Sequence, residues 1–253
     1  MRTEEIITRL FCMVDDKLGP VKKRKNAKLY TSEIITIGIL FCLKGVHYRA
    51  FYRWLKGDWH HLFPNLPSLD RLLRVLEKYE VLTDRMLVEP HSESIIDSYG
   101  IELIHPIREG RSHFQVGKKG KSNHRWIVGI KLCWLITPQG QLIDWGWETA
   151  NEHDQKFRDV GMMWTDQTEV LSDLGFRKRG EETPNWRFCQ RGERNDRMIV
   201  ERVFSLITVV NHFKKIFHRA EKYLTARMGY MAAMFNCLLE LAEGKLAIAQ
   251  FSL

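Results

Sequence analysis

The sequence predicts an α/β protein: a mixed five-stranded sheet flanked by helices, with a helical N-terminal region and further helices at the C-terminal end. Two observations carry this prediction. Apolar residues recur at helical spacing through the first ninety positions, and after Pro90 they alternate with a period of two. The later elements then run as three strands, a helix, two strands and a helix. We therefore divide the chain into an N-terminal helical region, residues 1–90, and an α/β domain with C-terminal helices, residues 91–253.

Three helices are predicted in the N-terminal region. Residues 33–43 are apolar nearly all round, which indicates a buried helix, and Thr31 or Ser32 is expected to cap it. Residues 48–55 and 69–87 carry apolar residues on one side only, which predicts two amphipathic helices. A small helical unit rich in arginine and aromatic residues suits contact with DNA, although no helix-turn-helix motif is recognisable in it.

The elements of the second region follow in a regular order. Strands are predicted at residues 94–99, 126–136, 141–149, 169–173 and 186–189, and helices at 154–164, from about 196 and after 228. The segment between the first two strands contains Gly117 and Gly120 among several lysines, which predicts a flexible basic loop. The last helix is expected to pack on this domain, and four tryptophans in strand positions are interpreted as core residues. These are Trp126, Trp134, Trp145 and Trp147.

Composition narrows the class of protein. The 253 residues include 39 Lys and Arg against 31 Asp and Glu, a formal charge of +8, which favours a polyanionic partner. With 44% hydrophobic and 28% charged residues, the disordered and fibrous classes are excluded. The five cysteines have neither zinc-finger spacing nor an even count, and no export or membrane signal is recognisable. We expect a cytoplasmic protein that acts at the nucleoid, with no membrane partner.

Three acidic residues stand at places where chemistry is expected. Asp97 and Asp173 lie at the ends of predicted strands, and Glu201 lies in the first turns of a predicted helix. Strand ends meet in one crevice of an α/β sheet, so these carboxylates can converge there. Carboxylate oxygens suit Mg²⁺ or Mn²⁺, and a pair of such ions supports phosphoryl transfer. The alternative for Glu201 is an ordinary helical ion pair with Arg197.

Five short motifs resemble, in this order, those of bacterial insertion-sequence transposases of the DDE type. They are residues 95–98, residues 129–132 with Gly140, residues 150–154, residues 172–176 and residues 197–204. Upstream, residues 48–52 and 63–68 resemble the N-terminal region of one branch of these elements. The chain departs from the family pattern at Arg194, at Thr208 and at Gly100, and it has little room for an inserted domain between Asp173 and Glu201.

The resemblance implies a ribonuclease-H-like fold and an acidic triad of Asp97, Asp173 and Glu201. These residues would be both catalytic and metal-binding, with Mg²⁺ or Mn²⁺ as cofactor, as two ions, and Arg197 would contact phosphate. Asp154 ranks behind Asp173 as a metal ligand, because capping of the following helix explains it. The other residues assigned to DNA binding are basic. They are Lys118, Lys119, Lys121, Arg125, Lys131, Arg194, Lys214 and Lys215.

The sequence thus predicts a DNA transposase, an endonuclease and strand transferase in DNA transposition and recombination. It would hydrolyse a phosphodiester at each element end and join the released 3′-hydroxyl to target DNA. The expected partners are double-stranded DNA, as terminal repeats and target, and further copies of the chain in a homodimer or higher multimer. Two alternatives stay open: a catalytically inactive DNA-binding protein derived from a transposase, and a metal-dependent nuclease without strand transfer.

Overall fold

The structure is a computed structural model that describes residues 1–23, 25–122, 125–180, 183–189, 197–218, 220–251 and 253. The chain forms two compact units. One combines Met1–Met86 with Lys222–Leu253, and the other is Leu87–Glu221. This division differs from the expected one at residues 90 and 91, because the C-terminal helix belongs with the N-terminal helices.

The elements alternate in the way that the change of period indicates. The helices are α1 (Thr3–Leu18), α2 (Thr31–Lys44), α3 (Tyr48–Asp58), α4 (Leu69–Tyr79), α5 (Arg158–Met162), α6 (Met198–Val210) and α7 (Glu221–Leu241). The strands are β1 (Glu93–Ile104), β2 (Lys118–Ser122), β3 (Arg125–Ile136), β4 (Leu142–Thr149), β5 (Glu169–Ser172) and β6 (Trp186–Phe188). The predicted α/β class is confirmed.

The helical unit is built around α2, whose residues are buried along almost its whole length, as its composition predicts. The expected cap is wrong: Glu33 reaches back to accept a hydrogen bond from the Tyr30 backbone N–H at 2.6 Å, so Tyr30 takes the capping position. The helix ends at Gly45, whose φ of 64° favours glycine. The predicted helix over 69–87 is shorter than expected, because α4 stops at Tyr79 and a 3₁₀ segment, Glu80–Met86, follows.

Helix α7 lies among these helices and not on the sheet. Its Tyr230 hydroxyl donates to the Leu76 carbonyl oxygen at 3.0 Å, and its Asn236 amide donates to the Met86 carbonyl oxygen at 3.0 Å. Most of α7 is buried on all sides, so it needs apolar partners all round, and the N-terminal helices supply them. The expectation that the last helix packs on the α/β domain is therefore wrong.

The second unit is a mixed open sheet with the order β2-β3-β1-β5-β6, and β4 also pairs with β3. Strand β3 runs antiparallel to β1, β2 and β4, whereas β5 is parallel to β1 and to β6. Because β2 pairs with the first residues of β3 and β4 with the later ones, the sheet is five positions wide but has six strands. The predicted count of five is wrong: the basic segment expected to be a loop forms β2.

Both faces of the sheet are covered by short helices. On one face, Ile96 and Cys133 pack with Phe157, Phe176 and Trp186. The predicted helix over 154–164 is a 3₁₀ turn, Asp154–Phe157, continued by the short α5. Among the described residues no single helix is long and apolar enough to cross a membrane; α2 and α3, bent by 117° at their junction, reach that length and composition only as a pair.

On the other face, α6 places Phe204 against two rings of the sheet. The centroid of Phe204 lies 5.4 Å from that of Tyr99 and 5.8 Å from that of the fully buried Trp134. The Thr208 hydroxyl and the Tyr99 hydroxyl form a hydrogen bond of 2.9 Å. These contacts fix the middle and the last turn of α6 against the middle of β1.

Candidate functional site

Two predicted carboxylates meet where β1 and β5 run side by side. Ile95 of β1 pairs with Leu171 of β5 in parallel register, so the positions two residues further along each chain are Asp97 and Asp173. Parallel neighbours lie about 4.8 Å apart in a sheet. The sequence therefore places two acidic side chains at adjacent points of neighbouring strands. Asp173 follows the last residue of β5, as predicted, but the expectation that Asp97 ends its strand is wrong, because β1 continues through pairing with β3 to Ile104.

Arg197, immediately before α6, joins the two carboxylates. Its Nη2 lies 2.8 Å from Asp97 Oδ2 and 3.8 Å from Asp173 Oδ2. The side chains of Arg197 and Asp97 are only 19% and 18% exposed, so water screens this ion pair weakly. The guanidinium thus occupies the position between two neighbouring oxygens, where a cation is electrostatically favoured.

Burial dominates the acidity of Asp97. It raises the pKa of this carboxyl from 3.8 to about 6, although the charge of Arg197 and the Ser98 N–H bond lower the pKa. The negative charge of Asp173 raises it further, which is a second sign that the two carboxylates are close. A buried carboxylate of this kind gains from any cation that approaches it.

Asp154 is a third carboxylate near Asp97 and Asp173, and its expected role as a helix cap is wrong. The cap is His153, whose ring accepts from the Gln155 N–H. Asp154 Oδ1 instead accepts hydrogen bonds from Ser98 Oγ at 2.7 Å and from Lys131 Nζ at 2.9 Å. Sequence spacing alone ranked Asp154 second, since it does not show that Ser98 and Lys131 lie on neighbouring strands.

Gly175 leaves room for the carboxylates of Asp173 and Asp154 to approach each other. Its N–H donates to Asp173 Oδ1 at 2.8 Å. A Cβ atom at Gly175 would stand 2.9 Å from that oxygen and 3.3 Å from Asp154 Oδ2. The absence of a side chain at this position leaves room for both carboxylates around one small space.

Glu201 is not brought to these residues by any contact in the described part of the chain. It lies on α6 one turn beyond Arg197 and is exposed to solvent. The alternative interpretation, an ion pair between Glu201 and Arg197, is not formed either, because Arg197 binds Asp97. The third member of the expected triad therefore remains a prediction.

The carboxylates of Asp97 and Asp173 suit a divalent cation in their chemistry, but too few such side chains are grouped together in the described part of the chain. Among the described residues, no three His, Cys, Asp or Glu side chains are grouped closely enough to hold a metal ion. Asp97 and Asp173 nevertheless present only oxygen atoms, the ligands that Mg²⁺ and Mn²⁺ prefer, and they already share one cationic group. Metal binding by Asp97 and Asp173 therefore stays a prediction.

The residues assigned to DNA binding fall into two groups. Lys131 pairs with Asp154, and Arg125 and Lys215 both pair with the buried Glu102, at 3.6 Å and 2.6 Å. The second group is exposed and has no ion pair within the described ranges. Its members are Lys118, Lys119, Lys121 and Lys214. Arg194 lies outside the described residues.

The four tryptophans expected in the core differ in burial. Trp134 is fully buried, as predicted, Trp145 and Trp147 are half-buried, and Trp126 is 60% exposed. The Nζ atom of Lys119 lies 5.8 Å from the centre of its ring. Position along β3 explains the difference, because α6 covers Trp134, and Trp126 lies at the other end of the strand.

A comparison of the chain with protein-family models and with curated proteins finds no match.

Proposed function

We propose that this protein is a metal-dependent DNA transposase whose sheet has the ribonuclease-H-like fold. The observation that carries the proposal is the Arg197 guanidinium held between Asp97 of β1 and Asp173, which directly follows the neighbouring strand β5. The ordered motifs around these residues, which resemble those of DDE transposases, support the same function. A mixed sheet in which only β3 opposes the other core strands supports the fold.

The residues of this chain would divide the work as follows. Asp97 and Asp173 hold Mg²⁺ or Mn²⁺, and Glu201 on α6 supplies a further oxygen when DNA binds. The metal, when bound, lowers the pKa of a water molecule and stabilises charge on the departing oxygen. Arg197 then exchanges its carboxylate partner for a phosphate of the DNA, a change that keeps a charge-assisted hydrogen bond at every stage.

Asp154 and Lys131 help to hold Asp97 in position. Ser98 follows Asp97 in β1, and its hydroxyl is held by Asp154, which Lys131 neutralises. This network fixes the backbone of β1 next to Asp97. A fixed carboxylate needs little rearrangement when charge develops at the reacting phosphate.

The second candidate is a DNA-binding protein without catalysis. One observation favours it: Glu201 has no described contact with Asp97 or Asp173, and Arg197 neutralises both. In that case the ion pairs are structural, and the basic residues alone account for DNA binding.

A joining assay separates these functions. The full chain is incubated with Mn²⁺, a labelled DNA that carries the sequences flanking its gene, and a supercoiled target plasmid. Covalent transfer of label to the plasmid supports a transposase. Cleavage without transfer indicates a nuclease, and DNA binding without cleavage indicates a non-catalytic protein.

The matched variants are Asp97→Asn and Asp144→Asn. Asp144 is a half-buried carboxylate of the same sheet. It accepts hydrogen bonds from the Trp145 N–H and the Trp164 indole, and not from Arg197. The proposal predicts loss of transfer in Asp97→Asn and retention in Asp144→Asn. Equal activity of the two variants contradicts it.

A further inference from the structure

The exposed end of the β2–β3 hairpin carries an aromatic ring among free cations. We propose that Trp126 stacks on an unpaired base of a nucleic acid, while Lys119 and Lys121 contact the neighbouring phosphates. The inference deepens the proposed function and rests on its nucleic-acid partner. It does not depend on the metal or on Asp97 and Asp173.

The strand register puts these three side chains on one face. Lys121 is directly opposite Trp126, and Lys119 is opposite Val128, the next residue of β3 on the same face. Directly opposed residues of antiparallel strands point to the same side of a sheet. The indole is therefore flanked by two ammonium groups, and the Lys119 Nζ lies 5.8 Å from the ring centre.

Trp126 and the candidate active site lie towards opposite ends of β3. Trp134 lies an even number of residues from Trp126 along β3, and it is the cross-strand partner of Asp97. At about 3.4 Å per residue, the path along β3 is about 27 Å, the length of about eight base pairs of a duplex. Val128, Ile130 and Leu132 between them are fully buried, so contact with Trp126 is made at the exposed end of the strand and is separate from contact with Asp97.

Charge distinguishes this ring from the exposed ring of Phe217. Within the described part of the chain, no carboxylate pairs with Lys119 or Lys121, so both remain available for phosphate. Phe217 offers a contrast: it also lies near a lysine, 6.0 Å from Lys215 Nζ, but that lysine is bound to Glu102 at 2.6 Å. An indole beside two unpaired cations matches a base between two phosphates.

Close backbone packing holds the strands β2 and β3 in place, which favours stacking on Trp126. Gly120 packs against the Ala150 carbonyl group, and Gly117 packs against the Gly129 backbone, so closely that a Cβ atom at either glycine would collide. Ten backbone positions of β2 and β3 are paired in register. A ring presented from a fixed strand loses little conformational freedom on binding.

The test uses single-stranded DNA with 2-aminopurine at one position, and the fully paired duplex of the same sequence, both in EDTA. Fluorescence reports stacking on the base, and anisotropy gives the two affinities. For the wild type we expect tighter binding to the unpaired probe than to the duplex, with 2-aminopurine quenched. Trp126→Ala should lower affinity for the unpaired probe by about 5- to 150-fold, and its affinity for the duplex far less.

Two further variants complete the design. Trp126→Phe keeps an aromatic ring and should retain most of the preference for the unpaired probe, whereas Phe217→Ala should leave that preference unchanged. An unchanged ratio of the two affinities in Trp126→Ala overturns the proposal. So does a Trp126→Ala protein that changes only its sedimentation, because the ring then contacts a second copy of the chain. Since no cleavage is measured, a failed joining assay does not affect either result.

Discussion

Positively charged side chains near the two ends of β3 differ in their partners. At the end near Asp97, each cation has a carboxylate: Arg197 binds Asp97, and Lys131 binds Asp154. At the hairpin end, Lys119 and Lys121 have no such partner in the described residues. The residue types are alike, so what decides their use is the side chain that the fold places opposite them. Paired cations hold the acidic site together, and we propose that the unpaired ones contact phosphates.

Arg125 and Lys215 show that cations near the unpaired hairpin lysines can themselves be paired with a carboxylate. Both lie close to the hairpin in space, yet Glu102 of β1 binds both, at 3.6 Å and 2.6 Å. Glu102 itself is only 7% exposed, so each of its cations is bound at a carboxylate that has little contact with water. These residues therefore hold the segment after α6 against β1, where Glu102 and Lys215 form a bridge.

The largest effect is expected from Asp173→Asn. Loss of one metal-binding carboxylate removes several kcal/mol of transition-state stabilisation, which corresponds to about a thousandfold fall in Mn²⁺-dependent DNA nicking. Affinity for DNA, measured in EDTA, should change little, because the hairpin cations are intact. Asp144→Asn is the control. Full nicking by Asp173→Asn would mean that the acidic end of β3 is only structural.

The pH dependence of stability tests the buried state of Asp97. Its pKa is raised to about 6, so the folded state favours the protonated carboxyl. The contribution of Asp97 to the free energy of unfolding is therefore greatest below pH 4 and decreases as the pH rises through about 6. Urea unfolding of wild type and Asp97→Asn in EDTA should show a difference that falls over this window, by at most about 1.4 kcal/mol per pH unit. A difference that rises over the window contradicts this assignment.

The hairpin end is tested by the salt dependence of DNA affinity. Lys119→Ala and Lys121→Ala should each reduce the slope of log affinity against log salt by about 0.9, the value for one phosphate contact on duplex DNA. Arg125→Ala should change the slope much less, because its guanidinium is engaged by Glu102. Equal changes in all three variants would remove the distinction between paired and unpaired cations.

The smallest effect is expected from Glu102→Gln, which releases two cations. Arg125 and Lys215 are 49% and 41% exposed and turn to solvent, so the free energy of unfolding should fall by only about 1 kcal/mol. The salt slope should become steeper, since the freed side chains are now available to phosphate. Chemical unfolding and DNA titrations check both effects, and an unchanged slope would show that neither cation reaches DNA.

The sequence predicts the secondary-structure elements better than it predicts which elements pair and pack together. The period of two in β3 and the position of Asp173 at the end of β5 could be identified because local alternation shows which side chains share a face. The end of β1 was placed too early, because Gly100 and Glu102 interrupt an alternation that pairing with β3 continues. Strand β2 was missed because lysine and glycine weaken the alternation, and pairing with β3 alone creates it. The exposure of Trp126 was missed because its strand pattern continues past the end of the helix that covers Trp134.

The site was predicted in part for the same reason. Asp97 and Asp173 could be assigned to strands that lie close together, but the Arg197 bridge and the Ser98–Asp154 contact join residues 100 and 56 positions apart. Such pairs depend on strand order, which the local pattern does not encode. The affiliation of α7 with the N-terminal helices is likewise decided by which apolar surface remains to be covered.

The central claim is that Asp97 and Asp173 hold a divalent cation in the position that Arg197 occupies. The most direct measurement is a titration of the full chain with Mn²⁺, in which the loss of the free-ion electron paramagnetic resonance signal reports binding, in the presence of an uncleavable DNA. The account predicts that wild type and Asp144→Asn bind Mn²⁺ with similar affinity and that Asp97→Asn binds at least tenfold more weakly. Equal Mn²⁺ affinity in Asp97→Asn and Asp144→Asn would contradict it.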